Sequence, residues 1–217
     1  MSNVSELSSQ FASRTKKRIM FSCAAVLVIL SGIALNTKVV KIGSTEDVRE
    51  QGFSAESYGV NIFPEIQKSI VAQAVDAPML ADLLRTNSQQ AVEKYGVGSP
   101  LAVFAVYFTG VVGDGNMGVY DLKINGLPDG SQVRIQTGPA ITGTALRDAT
   151  GKIQFGDFKN QIEYQNAGSA INNAMKSSVL EPLDTVALTG KTVKVVGVFS
   201  LLNPDNWLVT PVRIDIQ

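Results

Sequence analysis

Residues Ile19 to Leu35 form a charge-free apolar run, IMFSCAAVLVILSGIAL, preceded at once by Arg14, Lys16, Lys17 and Arg18. Seventeen helical residues rise about 26 Å, close to the roughly 30 Å hydrocarbon thickness of a bilayer, so the run predicts a single spanning helix. Four cations before it, against only Lys38 and Lys41 soon after, place the N-terminus in the cytoplasm and the rest of the chain on the far face. The expected organisation is a cytoplasmic N-terminus over 1–18, a transmembrane signal anchor over 19–36, a helical segment over 37–100 and a β domain over 101–217. Two other fates leave the folded part in the same compartment. Gly32-Ile33-Ala34 offers a small-x-small cleavage site. A lipoprotein signal would need its acylated cysteine after the apolar stretch, whereas Cys23 follows Met20-Phe21-Ser22 and precedes most of the run, so it reads as a small membrane-embedded residue.

Composition excludes several chemistries. Setting aside Glu6 and the four N-terminal cations, 19 Lys+Arg and 19 Asp+Glu become 15 and 18, slightly acidic with no basic stripe, so nucleic acid is not an expected partner. The chain has no histidine, which removes Ser-His-Asp and Cys-His machinery and the commoner zinc ligand sets. Its one cysteine lies in the apolar run, so the exported part forms no internal disulfide and must be stabilised by packing. No phosphate-cradling glycine loop occurs, and neither a metal nor a cofactor is expected. Gly113-Asp114-Gly115-Asn116 lacks the alternating acidic ligands of a calcium loop and reads as a hairpin turn.

From Ser54 to Tyr95 the period is helical, with Ile62, Ile66, Ile70 and Ala74 followed by Met79, Leu80, Leu83 and Leu84. Two helices are expected, Pro64 and Pro78 each in a first turn and Gly96 and Gly98 closing the second. Beyond Pro100 the character turns to β. The long run Leu101–Val112, then 116–125 and 132–136, predict an antiparallel meander, with Gly110 or Gly113 permitting a bend in the first strand. A helix over 162–179 and strands over 192–199 and 209–216 complete the order. This predicts an α+β chain: the transmembrane helix, a helical layer, and a five-stranded antiparallel OB-like barrel with its helix between strands three and four.

The 136–166 stretch packs charges, amides, hydroxyls and glycines into a long connection, which marks it as the place for a polar site. Arg147 beside Asp148 offers forked donors to a sugar or polyol, Gln136, Asn160 and Gln161 offer paired donors and acceptors, and Tyr164 a flat face. Each has a structural counter-reading: a bracing ion pair for Arg147–Asp148, a helix cap for Asn160, and burial for Phe155 and Phe158.

The run from Gly138 to Gly151, Gly-Pro-x-Ile-x-Gly-Thr-Ala-Leu-Arg-Asp-Ala-Thr-Gly, then Phe155-x-Asp-Phe-x-Asn-Gln161, Gly190-Lys191 and Thr210-Pro-Val212, resembles the DUF2291 family of predicted periplasmic lipoproteins. That resemblance implies an envelope location and an association with sugar ABC transporters or their binding proteins, and it carries no catalytic residues. The reading is therefore a single-pass inner-membrane protein with a periplasmic C-terminal domain, acting as a non-catalytic accessory or binding module. A glycan hydrolase or lyase would instead need two of Asp148, Asp157 and Glu163 facing each other. A third reading is an interaction protein that uses the Ser54–Tyr95 helices against a membrane complex.

Overall fold

Ser54 opens the first helix of the folded unit by accepting the Ser57 N–H at 3.4 Å, and the helix runs as α1 over Ala55–Gln73. The computed structural model describes residues 25–33, 35, 53–185 and 187–217. Residues 25–33 and 35 are helical and exposed; the other residues of the expected anchor over 19–36, and the 1–18 and 37–52 stretches, lie outside the described residues. Among the described residues no helix is long and apolar enough to cross a membrane. Phe53–Gln217 forms one compact unit.

Helix α1 buries Gly59, Phe63, Ile66 and Ile70, a stripe that turns on Phe63 where the sequence pointed to Ile62. Pro64 is not in a first turn but inside α1. It is tolerated because it lies on the exposed side, where the carbonyl of Val60, itself 59% exposed, loses its helical donor at a solvent-facing position. A two-residue strand β1 (Val75–Asp76) leads into α2 (Ala77–Thr86), whose cap Asp76 accepts the Met79 N–H at 3.1 Å and whose first turn holds Pro78. The expected second helix is in fact two. Asn87 ends α2 and, by accepting the Gln90 N–H at 3.1 Å, starts α3 (Ser88–Tyr95), which Gly96 closes. Leu80 and Leu84 of α2 and Ala91 of α3 are buried, each leucine contributing roughly 1.5–3 kcal/mol against exposure.

The sheet comprises β2 (Val103–Asn116), β3 (Val119–Ile124), β4 (Gln132–Gln136), β5 (Thr192–Ser200) and β6 (Asn206–Ile216), joined at one edge by β1. β2, β3 and β4 form the antiparallel meander. β2 pairs with β5 from Val103 to Val111 and with β3 from Gly110 to Asn116, so one strand serves two neighbours, changing over at Gly110 with a bulge between Val112 and Gly115. Pairing runs β2-β3-β4-β6-β5 and returns to β2. Two corrections follow to the expected all-antiparallel, five-stranded arrangement. β4 and β6 are parallel, because the chain passes through a helix and β5 before returning beside β4, and β1 adds a sixth, parallel strand. The hairpin turn falls at Met117-Gly118, both at positive φ, while 113–116 continue β2. β6 begins at Asn206, three residues earlier than expected, which brings Trp207 into the interior. Trp207 stacks on Phe199 at 4.3 Å, Phe199 stacks on Phe104 at 5.6 Å, and the Trp207 indole donates to the Pro204 carbonyl at 2.8 Å.

Between β4 and β5 lie a short helix α4 (Ala145–Asp148), a 3-10 turn (Phe155–Asp157) and α5 (Gln161–Met175), which continues as a π-helical turn over Lys176–Leu180. Helix α5 packs against α1 so closely that a Cβ on Gly59 would collide with the backbone of Ala170.

Candidate functional site

Within 136–160, Gln136, Thr137 and Arg147 are buried, while most of the other polar side chains are exposed. Gln136 is 3% exposed; its amide donates to Thr210 Oγ1 at 2.9 Å and the Thr142 carbonyl at 3.2 Å, and its oxygen accepts the Thr142 N–H at 2.9 Å and hydroxyl at 3.0 Å. It thereby ties the loop to β6. Arg147 is 8% exposed and forked onto Asp148, Nε to Oδ1 at 2.7 Å and Nη2 to Oδ2 at 3.1 Å. Its Nη1 donates to the Tyr164 carbonyl at 3.3 Å, and the guanidinium stacks 3.7 Å from the Tyr164 ring centroid. Asp148 Oδ2 also accepts the Thr144 hydroxyl at 2.7 Å. Asn160 caps α5 by accepting the Glu163 N–H at 2.9 Å, and Gln161 is exposed in the first turn that follows. The fold thus unites Arg147, Asp148 and Tyr164 in a bracing cluster and commits Gln136 to a separate one.

The carboxylates considered for catalysis have local duties. Asp148 holds Arg147 and Thr144, Asp157 accepts the Gln154 N–H at 2.8 Å, and Glu163 accepts the Lys159 N–H at 3.0 Å.

Tyr164 is one of five rings in continuous contact. Phe53 lies 5.4 Å from both Tyr58 and Phe158, Tyr58 lies 5.6 Å from Phe158, Phe158 lies 5.4 Å from Tyr164, and Tyr164 lies 5.7 Å from Phe155. Burial, with the Asp157 carboxylate adding to it, pushes the Tyr58 phenol above its ordinary value of 10.0. A raised folded-state value favours the neutral phenol. Its contribution to stability is complete below the unfolded value and is lost as pH rises through the folded one. Tyr58→Phe is expected to flatten the alkaline limb of the stability curve, measured by urea unfolding between about pH 9 and about pH 11. Parallel decline in both proteins would refute this.

A groove of about 810 Å³ runs between α1 and α5. Val60, Phe63 and Pro64 supply an apolar wall, and Ser169, Asn173 and Ser177 a wall of uncharged hydroxyls and an amide. The π-helical turn contributes Ser177 and Ser178 to its end, and such turns recur at functional positions. These residues went unremarked in the sequence because serines and asparagines on the far side of an amphipathic helix look like an ordinary solvent face. The available signal was the pair of small residues Gly59 and Ala170, which let the two helices meet.

The profile of DUF2291, described as a predicted periplasmic lipoprotein, matches residues 23–215. A crystal structure of an OB-fold protein from Thermotoga maritima is similar over 77% of this chain and 100% of its own, with a TM-score of 0.62 and 21% identity, a likeness of fold alone. No curated protein matches the chain.

Proposed function

Because the chain belongs to the DUF2291 family of predicted periplasmic lipoproteins, we propose that it is a non-catalytic, membrane-tethered periplasmic binding module whose α1–α5 groove receives a segment of a protein partner. The observation that carries this is the contrast between the two polar regions. Gln136, Arg147, Asp148 and Asn160 are engaged in bonds within the fold, while the groove presents exposed apolar carbon beside hydroxyls, amides and the Glu56 carboxylate. An apolar centre bordered by hydroxyls, amides and the Glu56 carboxylate has the make-up of a protein-binding surface, and a groove between two helices suits an amphipathic segment. The ring of strand pairings, read as an OB-like barrel, supplies a rigid base for the helices. Gln136, Arg147, Asp148 and Asn160 act as struts of that base. The transporter association implied by the family resemblance gives the partner a concrete class, a membrane permease or its sugar-binding protein.

A photo-crosslinking residue placed at Ser169 in the full chain is expected to capture a discrete envelope protein. Val60→Asp, which puts a charge on the exposed apolar wall, is expected to weaken that association about tenfold or more while leaving the melting temperature unchanged. An unchanged adduct in Val60→Asp, or none in the parent, would refute the groove reading.

A further inference from the structure

Of the five rings in contact, Tyr58, Phe158 and Tyr164 pack against the hydrophobic core, while Phe53 and Phe155 lie outside it. Every one keeps some exposure, and Phe155 is 52% exposed. Ile162, in the first turn of the helix that carries Tyr164, is 69% exposed. Soluble surfaces carry single apolar residues freely, but a connected set of partly exposed rings, one of them more than half exposed, is the kind of patch that marks an interaction site. Phe53 is also the first residue of the folded unit, so the patch includes the residue at which the chain enters that unit.

We infer that this aromatic patch seats the folded unit on the surface of the bilayer that holds the tether, with Phe155 and Ile162 entering the headgroup region. The inference rests on the tethered reading given above. Residues 36–52, whatever their path, span at most about 60 Å, which keeps the patch continuously within reach of the membrane. That converts a weak contact into an intramolecular one. The two tyrosines suit the position chemically, since a ring with a polar tip partitions to the boundary between acyl chain and water, and Phe155 and Ile162 supply the apolar surface that interfacial segments bury there. The surroundings carry both signs, with Lys152 paired to Glu65 at 3.0 Å and Asp157 and Glu163 engaged as caps, so attachment depends on rings rather than on anionic lipid. Seating the unit this way also brings α1, which begins two residues after Phe53, to the membrane surface, where a permease loop is accessible to the groove.

Phe155→Trp in the full chain tests the seat directly. The natural Trp207 is 2% exposed and stacked on Phe199, beyond reach of a quencher confined to lipid. The protein is reconstituted in phosphatidylethanolamine and phosphatidylglycerol vesicles whose acyl chains carry bromine, and Met117→Trp, at the 82% exposed turn between β2 and β3, serves as the comparison. The expected result is loss of most of the emission added by the indole at 155, with the indole at 117 unaffected and both proteins floating with the vesicles. Flotation without quenching at 155, or equal quenching at the two positions, overturns the seat and leaves the tether standing. A doubling of mass with no quenching assigns the patch to a second copy and overturns the seat equally. Failure to float removes the tethered reading and the seat together.

Discussion

Gly118→Ala is expected to cost the folded unit about 3 kcal/mol or more and to lower its melting temperature by about 6–12 °C. Two effects act at one atom. Gly118 sits at φ +78, a backbone region that a Cβ disfavours, and the Cβ would fall on the carbonyl oxygen of Gly138. The neighbour cannot yield easily. Thr137 donates to the Gly118 carbonyl from its N–H at 2.6 Å and from its hydroxyl at 3.1 Å, so the β2–β3 turn and the start of the 137–160 connection are locked together. Pushing one aside breaks both bonds and leaves Thr137, 4% exposed, with polar groups that water cannot readily satisfy. Gly190→Ala separates the two effects. Gly190 has φ +82 but nothing within 4 Å of the added carbon, so it should show backbone strain alone, about 1 kcal/mol. Equal losses in the two variants, measured by thermal and urea unfolding, would show that the collision at Gly138 carries no energy.

What could be read from residues alone divides along a physical line. Local rules acted where the chain interacts with its near neighbours. Ser54, Asp76 and Asn160 cap helices as their side chains dictate, Pro78 sits in a first turn, and the alternation in 119–124 and 132–136 is that of strands. Pro64 broke the rule for prolines because tolerance inside a helix depends on which face meets water, a fact set by packing partners more than a hundred residues away. The parallel β4–β6 pairing was invisible for the same reason. Pairing sense between distant strands is fixed by the path of the intervening chain, and strand patterns do not encode it. The 136–166 residues stood out because they are polar in a loop, yet polarity does not reveal whether a guanidinium faces water or a neighbouring carboxylate. The groove is formed by the meeting of α1 and α5, elements about a hundred residues apart, and only the smallness of Gly59 and Ala170 hinted at it.

Arg147→Ala then distinguishes a strut from a ligand contact. Arg147 is 8% exposed, its guanidinium forked onto Asp148, bonded to the Tyr164 carbonyl and stacked on the Tyr164 ring, so its removal opens space under the aromatic patch and unpairs a partly buried carboxylate. Breaking such a pair from one side is expected to cost about 2–4 kcal/mol, somewhat below the figure for a fully buried pair because the Asp148 side chain is 29% exposed and retains Thr144. Arg147→Lys should recover little of this, since an ammonium cannot bond both carboxylate oxygens in the plane and stack on the ring at once. The readout that separates the roles is paired. As a strut, Arg147 lowers the unfolding midpoint when removed, while crosslinking at Ser169 persists at temperatures where the variant remains folded. If it contacts a sugar or polyol instead, the variant keeps its midpoint and loses the thermal shift that such a ligand gives the parent protein. The bonds made by all three guanidinium nitrogens, with the Tyr164 ring on one face and only 8% of the residue exposed, favour the first outcome, because a ligand reaching the group would have to displace contacts that hold α4 to α5.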